Sequence, residues 1–253
     1  MVRKPFNFDT WLEYHFNKGI EYIFLRVEDT PELNEIVDKY PNKVFTKYYN
    51  DIDNLDNYQT IQTRQKMFID EVIEKSKQFP IEWIFHIDSD ELIWSKESLK
   101  SILTAIPNNY GCVHLQNYEA VYPEDSLDNP FAETDRFVAR GNGILSYGNG
   151  KSVGRVSSSL KSKGPHYFTG EEYKLNADIA SILHFDSPTF EVWYMKFSNL
   201  SNISEKIFKQ IPFKFYRDSI EIIREGDMER ARGYYNKMKI ETYYKDNIIK
   251  IDF

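Results

Sequence analysis

Apolar residues recur at helical spacing from near the start of the chain, with Phe8, Trp11, Leu12, His15 and Phe16 on one face. Asn7 or Asp9 is placed to cap that face and Gly19 stands where a helix should stop, so the pattern predicts a helix over 8–18. Residues 22–27 form a continuous apolar run of strand length, and Thr30-Pro31-Glu32 reads as a cap with proline in the first turn of a second helix. A further strand is predicted over 44–49, followed by a polar, Asn/Asp-rich loop through 50–58. The next helix carries Ile61, Gln65, Phe68, Ile69, Val72 and Ile73 on one face. Past Pro80, residues 81–87 make another apolar strand that runs directly into Asp88-Ser89-Asp90-Glu91.

Helices alternating with short, continuously apolar strands are the pattern of an α/β protein with a doubly wound, mostly parallel, Rossmann-like sheet. In such sheets ligands bind beyond the carboxyl ends of the strands, which is where the acidic tetrad lies. The middle of the chain changes character: strands are predicted over 112–122, 136–147, 151–157 and 181–185, separated by Gly, Asn, Ser and Pro, as added, partly antiparallel strands. From Thr189 onward helical spacing returns. The expected division is a main domain over 1–190 and a helical extension over 191–253 packed on it.

Composition narrows the function classes. The 253 residues are 41% hydrophobic, enough to bury a full core, and the net charge of −7 argues against a protein that coats nucleic-acid phosphates. The single cysteine, Cys112, has no partner for an intrachain disulfide and sits at the start of an apolar strand, which points to a reducing compartment. Residues 1–7 hold no apolar leader and no apolar run is long enough to span a bilayer, so a soluble, cytoplasmic protein is expected.

Residues of a strand alternate in direction, so Asp88 and Asp90 are expected to project together. Two carboxylates held close repel unless a cation sits between them, and their oxygens favour hard divalent ions such as Mg²⁺ or Mn²⁺. His15, on the apolar face of the first helix, and His86, within a strand, read as packed or hydrogen-bonded structural residues. Glu28 and Asp29, ending the second predicted element, suit a ribose or base through their acceptor oxygens, or the cap of the following helix. Lys151, Lys196 and Arg64, taken on their own, read as solvated surface charges. Tyr118 and Tyr122 are aromatic candidates for stacking on a sugar or for the core.

The stretch Glu82-Trp83-Ile84-Phe85-His86-Ile87-Asp88-Ser89-Asp90-Glu91-Leu92 resembles the metal-binding motif of nucleotide-sugar glycosyltransferases of the type A fold, in the branch related to glycosyltransferase family 2. Trp11-Leu12-Glu13-Tyr14-His15, Gly19-Ile20-Glu21, Arg64-Gln65, Gly150-Lys151-Ser152, Pro165-His166-Tyr167 and Ile182-Leu183-His184-Phe185 are similar to further landmarks of that branch, over about residues 6–197. The resemblance implies a metal-dependent enzyme that moves a sugar from a nucleoside diphosphate, most often UDP, to a hydroxyl of a glycan, protein or lipid. It assigns Asp90 as a direct metal ligand, Asp88 as a ligand through water or the ribose, and His184 as a further ligand. Lys151, Lys196 and Arg64 are assigned to the diphosphate, and Asp186 and Glu191 are candidates for the base that takes the acceptor proton. Members of that branch begin with a complete strand, whereas only Met1-Val2-Arg3-Lys4 precede Pro5 here, so Val2-Arg3-Lys4 is expected at most as a short stub with Arg3 near the nucleotide. A sugar nucleotidyltransferase and a non-catalytic sugar- or nucleotide-binding relative are the alternatives. A haloacid-dehalogenase-like phosphohydrolase fits less well, because Glu91-Leu92 follows the second aspartate where that family expects a small or β-branched residue.

Overall fold

The computed structural model describes residues 1–49, 58–122, 127–138, 148–243 and 248–252. In chain order it begins with α1 (Phe8–Asn17), β1 (Ile23–Glu28), a 3-10 turn (Pro31–Leu33) leading into α2 (Asn34–Val37), β2 (Val44–Tyr49) and α3 (Tyr58–Ser76). There follow β3 (Trp83–Phe85), β4 (Glu91–Ser95), α4 (Leu99–Thr104), β5 (Cys112–Leu115), β6 (Asn117–Ala120), α5 (Pro130–Glu133) and β7 (Arg136–Val138). The rest is β8 (Lys151–Arg155), β9 (Glu172–Lys174), β10 (Ala180–His184), α6 (Phe190–Leu200), α7 (Glu205–Phe208), α8 (Lys214–Glu225), α9 (Met228–Tyr243) and β11 (Ile248–Lys250).

These elements gather into two compact units. The first draws on the described residues within 1–55, 61–116 and 149–182, the second on those within 56–60, 117–148 and 183–253. The helical tail expected from residue 191 begins at Phe190, and its unit also takes in β6, α5 and β7.

In the first unit β1 and β2 pair in parallel over six positions, from Ile23 opposite Val44 to Glu28 opposite Tyr49. A second sheet runs in the order β3-β8-β5-β9, with β8 antiparallel to both neighbours and β9 parallel to β5. In the second unit β7 is antiparallel to β6 and to β11. The fold is therefore mixed α/β, and the described pairings are mixed rather than mostly parallel.

Local chemistry accounts for where the elements stop. Gly19 takes φ +91° and ends α1, as its place in the sequence predicts. The helix start differs: Asn7 is left-handed with no side-chain cap, and Asp9 lies inside the helix, accepting only from the Thr10 amide. Thr30 also leaves its helix uncapped, since its hydroxyl donates to Glu28 O at 2.8 Å, and the first turn of the expected helix is a 3-10 turn that leads into the four-residue α2. The strand expected over 81–87 is shortened to three residues. The one expected over 112–122 breaks after Leu115, where the chain passes from one unit to the other. Most of the predicted 50–58 loop, and residues 139–147 of a predicted strand, lie outside the described residues.

Two apolar clusters stabilise the first unit. Ile93, Leu103, Val113, Leu115, Val153 and Ile182 are buried together, and Ile69 and Ile73 of α3 meet Leu160, Phe168 and the free thiol Cys112. Helix α1 is pinned to β4 by polar contacts as well. Trp11 Nε1 donates to Glu91 O at 2.7 Å, Tyr14 Oη donates to Ile93 O at 3.2 Å, and the Ile93 amide donates to His15 Nε2 at 3.3 Å. In the second unit Trp193, Phe197, Ile220 and Tyr235 pack α6, α8 and α9 together, and Trp193 Nε1 donates to Ser219 Oγ at 3.0 Å. Burying rings of this size contributes roughly 2–3 kcal/mol each, and the indole N–H keeps its partner.

His15 is buried with its Nδ1 bonded to Trp11 O at 2.8 Å, and burial lowers its pKa from the usual 6.5 to about 4. The unfolded chain takes up this proton first, so the stability contributed by the neutral ring is complete above about 6.5 and is lost as the pH falls toward 4. The loss amounts to about 3 kcal/mol at full protonation. Urea unfolding across that range should therefore show a steeper fall for the wild type than for His15→Gln. Equal pH slopes would contradict the assignment.

Candidate functional site

Asp88 lies beyond the end of β3, and Ser89 and Asp90 form the turn into β4. The turn is closed twice: the Glu91 amide donates to Asp88 O at 3.1 Å, and the Asp88 amide donates to Glu91 Oε2 at 2.6 Å. The two aspartates thus do not share a strand face, as alternation along a strand would have placed them. The Glu91 carboxylate captures the Asp88 amide and bends the chain back before a strand can continue.

Between these carboxylates sits a cation from the chain itself. Lys151, at the start of β8, is 1% exposed; its Nζ lies 2.6 Å from Asp88 Oδ2 and 3.4 Å from Glu91 Oε2. The antiparallel pairing of β3 with β8, Phe85 opposite Val153, brings Lys151 alongside the segment that follows Phe85. Gly150 makes the approach possible: at φ +61°, a Cβ there would lie 2.1 Å from Leu115 O. Gln65 Nε2 donates to Asp88 Oδ1 at 3.2 Å from α3. Burial works against the charge of Asp88, but the Lys151 ammonium holds its carboxyl well below the usual range. Burial likewise works against the ammonium of Lys151, and the attraction of Asp88 and Glu91 outweighs it and raises its pKa. The ring of His86 stays neutral, its pKa lowered to about 3 by burial and then by Lys151, with Nδ1 on Pro165 O at 2.8 Å. The structural reading of His15 and His86 is what the geometry shows.

The other basic and acidic candidates of this unit serve each other. Glu28 is buried at the end of β1, and its Oε1 accepts from Arg26 Nε at 2.6 Å and Arg64 Nε at 2.9 Å. Arg64 Nη2 adds a bond to Glu28 Oε2 at 3.1 Å, so its guanidinium is engaged inside the unit rather than held out toward a phosphate. Asp29 is exposed at φ +47°, with Arg3 Nη2 at 3.9 Å.

In the second unit the end of β10 carries His184, whose Nδ1 lies 2.9 Å from both oxygens of buried Glu119. A carboxylate in that position orients the ring, as carboxylates do behind metal-bound histidines. Two residues on, Asp186 is buried and accepts from Lys196 Nζ at 2.5 Å, Ser187 Oγ at 2.9 Å and Tyr216 Oη at 3.4 Å. Burial opposes its charge, but Lys196 holds the carboxyl below its ordinary value. Ser187 occupies the left-handed region at φ +55°, a conformation that costs a non-glycine residue about 1 kcal/mol or more. Tyr122 is buried and donates from Oη to Asp186 O at 3.1 Å; Tyr118 is buried too. Glu191 differs from Asp186: it is exposed on α6, 3.8 Å from Arg232 Nη2.

The structure thus brings together Asp88, Asp90 and Lys151 in one unit, and His184, Asp186 and Lys196 in the other. Among the described residues no three His, Cys, Asp or Glu side chains converge on one point. Asp90 is half-buried at the bend, and Lys151 holds Asp88 ionised beside it. Glu91, Gln65 and Glu119 were missed by sequence reasoning. The signal for Glu91 and Glu119 is an acidic residue inside an otherwise buried strand, where a charge needs a partner.

No protein-family model matches the chain. It is 26% identical over 242 residues to the glycosyltransferase-like protein At2g41451 of Arabidopsis thaliana, covering 76% of this chain and 52% of that protein. It is 29% identical over 163 residues to the glycosyltransferase-like protein At3g57200 of the same plant, covering 53% of this chain and 31% of the relative. The chain therefore spans about half the length of the first of these curated relatives and about a third of the second. Among solved structures it matches HddC from Yersinia pseudotuberculosis at 12% identity and a TM-score of 0.35, over 74% of this chain and 82% of that one, a likeness too slight to carry an argument about fold. The plant proteins mark the chain as similar to glycosyltransferase-like proteins. No helix among the described residues is long and apolar enough to cross a membrane.

Lys196→Met leaves the Asp186 carboxylate buried without its nearest cation. The variant should lose up to about 3 kcal/mol at neutral pH. The stability that Lys196 gives to the ionised carboxyl is present above the ordinary Asp pKa of 3.8 and disappears as the pH falls through the lowered folded value. Denaturant unfolding of the two proteins should therefore converge in acid; a gap that stays constant down to pH ~3 would rule out the ion pair as its source.

Proposed function

We propose that this chain is the donor-binding part of a metal-dependent glycosyltransferase that moves a sugar from a nucleoside diphosphate to a hydroxyl acceptor. The observation that carries the reading is the Asp88-Ser89-Asp90 turn, closed by Glu91 and held from beneath by Lys151, in a chain similar to glycosyltransferase-like proteins. The turn keeps two carboxylates at the end of a strand, where a diphosphate and its divalent ion need oxygen ligands. Asp90 is the residue proposed to hold Mn²⁺ or Mg²⁺, with Asp88 acting through water or the ribose. When bound, the ion neutralises the charge that develops on the departing diphosphate.

In the transfer, the acceptor oxygen bonds to the anomeric carbon as the bond from that carbon to the diphosphate oxygen breaks, and the hydroxyl proton passes to a base. Asp186 is the stronger candidate for that base. Its carboxylate is ionised and held in place by Lys196 and Ser187, whereas Glu191 is exposed beside Arg232. His184, oriented by Glu119, is proposed as an imidazole ligand, and Lys196 as a diphosphate contact when it is not engaged by Asp186. UDP-sugars are the first donors to test, with glycans, proteins and lipids as acceptor classes.

Calorimetry with UDP, GDP and their sugars, with and without Mn²⁺, should show metal-dependent binding by the wild type that falls at least ~10-fold in Asp90→Ala, about 1.4 kcal/mol. Binding that is indifferent to Mn²⁺ and to Asp90 would overturn the metal site. One observation favours a second reading, a binding relative without turnover: Lys151 already supplies the positive charge between Asp88 and Glu91. Metal-dependent binding without release of UDP from any UDP-sugar, in water or with acceptors, would select that reading.

A further inference from the structure

Each basic residue with a claim on a diphosphate is engaged by carboxylates of its own unit: Lys151 by Asp88 and Glu91, Arg64 by Glu28, and Lys196 by Asp186. Arg26, which nothing in the sequence singled out, differs. It lies on β1 two residues before Glu28, on the same face of the strand. Its Nε donates to Glu28 Oε1 at 2.6 Å, and its guanidinium carbon stands 3.6 Å from the centre of the Tyr49 ring. Glu28 gives both of its oxygens to Arg64 and only Oε1 to Arg26. Nη1 and Nη2 of Arg26 donate to no described residue.

A guanidinium carries its N–H donors in a flat, rigid fork, and all those on Nη1 and Nη2 of Arg26 remain for a ligand. Two such groups side by side match the two oxygens of one phosphoryl or carboxylate group. The Arg26 side chain is 12% exposed, so water screens little of its charge and an oxyanion gains more there than at an exposed arginine. The fork is also held still. The Val2 amide donates to Arg26 O at 2.8 Å, the Glu28 amide to Val2 O at 2.9 Å and the Asp29 amide to Tyr49 O at 3.2 Å, so the backbone of 26–29 is fixed from both sides. Asp29 follows at φ +47°, a strained conformation of the kind that clusters at binding sites. The α-amino group of Met1 feels the charges of Asp88, Lys151, Glu28 and Arg26 together, which sets the fork and the Asp88 turn near one point.

We propose that Arg26 reads an oxyanion of the donor: Nη1 and Nη2 make paired bonds to two oxygens of one group, either a phosphoryl of the nucleoside diphosphate or the carboxylate of an acidic sugar. Glu28 and Tyr49 are its positioning residues, one anchoring the Nε side and the other covering a face of the guanidinium. A fork held in this way loses little freedom on binding, whereas a lysine ammonium on its flexible stem loses more. The proposal rests on the donor-binding reading for the identity of the ligand and assigns the contact to a residue other than Lys151, Arg64 and Lys196.

The test uses two variants that keep a cation beside Glu28: Arg26→Lys removes the fork, and Tyr49→Leu removes only the stacking face. Calorimetry measures inorganic diphosphate, UDP-glucose and UDP-glucuronate against the wild type, both variants and the double variant, with and without Mg²⁺. Arg26→Lys should weaken UDP-glucuronate at least ~10-fold, because paired charge-assisted bonds are lost. Tyr49→Leu should weaken it about 3-fold in the wild-type background and add nothing once Arg26 is lysine. An equal loss for inorganic diphosphate and UDP-glucose assigns the fork to a phosphoryl group, and a loss confined to UDP-glucuronate assigns it to the sugar carboxylate. Wild-type affinity for all three ligands in Arg26→Lys would overturn the proposal. So would a Tyr49→Leu loss of the same size in both backgrounds, which marks a merely structural ring, or a wild type that binds none of the three. An Arg26 dependence that persists without Mg²⁺ and in Asp90→Ala leaves this proposal standing while the metal site falls; metal-dependent binding indifferent to Arg26 does the reverse.

Discussion

A buried ammonium between two carboxylates is the interaction on which the rest of the candidate site depends. Lys151 is almost fully withdrawn from water, and such a charge survives there only because Asp88 and Glu91 surround it. Desolvation costs several kcal/mol per ion, so the triad is poor at adding net stability and good at excluding other arrangements. The Glu91 side chain bonds the Asp88 amide, Lys151 reaches both carboxylates, and Gly150 lets its strand come close enough to do so. Remove any one of these and the bend that presents Asp90 loses its reason.

The packing of α1 serves the same corner. Trp11 and Tyr14 donate to the carbonyls of Glu91 and Ile93, and His15 accepts from the Ile93 amide, so a helix fixes the first residues of β4 while the triad fixes the turn before them. In the second unit the order is similar. A strand ends in His184, whose ring is set by Glu119, and a strained Ser187 follows Asp186, which is tied to Lys196. Both places combine a strand end, a buried carboxylate and a cation from the chain. That combination holds a carboxylate ionised and oriented in a site of low polarity, at the cost of lowering its basicity.

Much of this was legible in the order of residues. The helix over 8–17 and the buried face of α3 follow from spacing alone, because each buries one face, and the strand over 44–49 follows from its β-branched and aromatic residues. The Asp-Ser-Asp turn and His184 were legible as candidates, since charges that close an apolar strand need a purpose. What the sequence hid was pairing. Arg64 reads as a surface cation until Glu28, far away in sequence, is seen to accept two of its bonds. Lys151 reads as a phosphate contact until β8 is paired with β3. The partly antiparallel strands expected in the middle of the chain are present, but apolar runs carry no sign of which neighbour each strand takes. The bend at Asp88 was hidden for a related reason: strand alternation presumes that the strand goes on, and a single side chain, Glu91, stops it.

The most direct test of this account is a double-mutant cycle on Asp88→Asn and Lys151→Met, read by urea unfolding at neutral pH. The account predicts that Lys151→Met costs about 3–5 kcal/mol in the wild-type background and at least ~1.5 kcal/mol less when Asp88 is already neutral. Costs that add to within about 0.5 kcal/mol would contradict it, for they would mean that the ammonium and the carboxylate do not depend on each other.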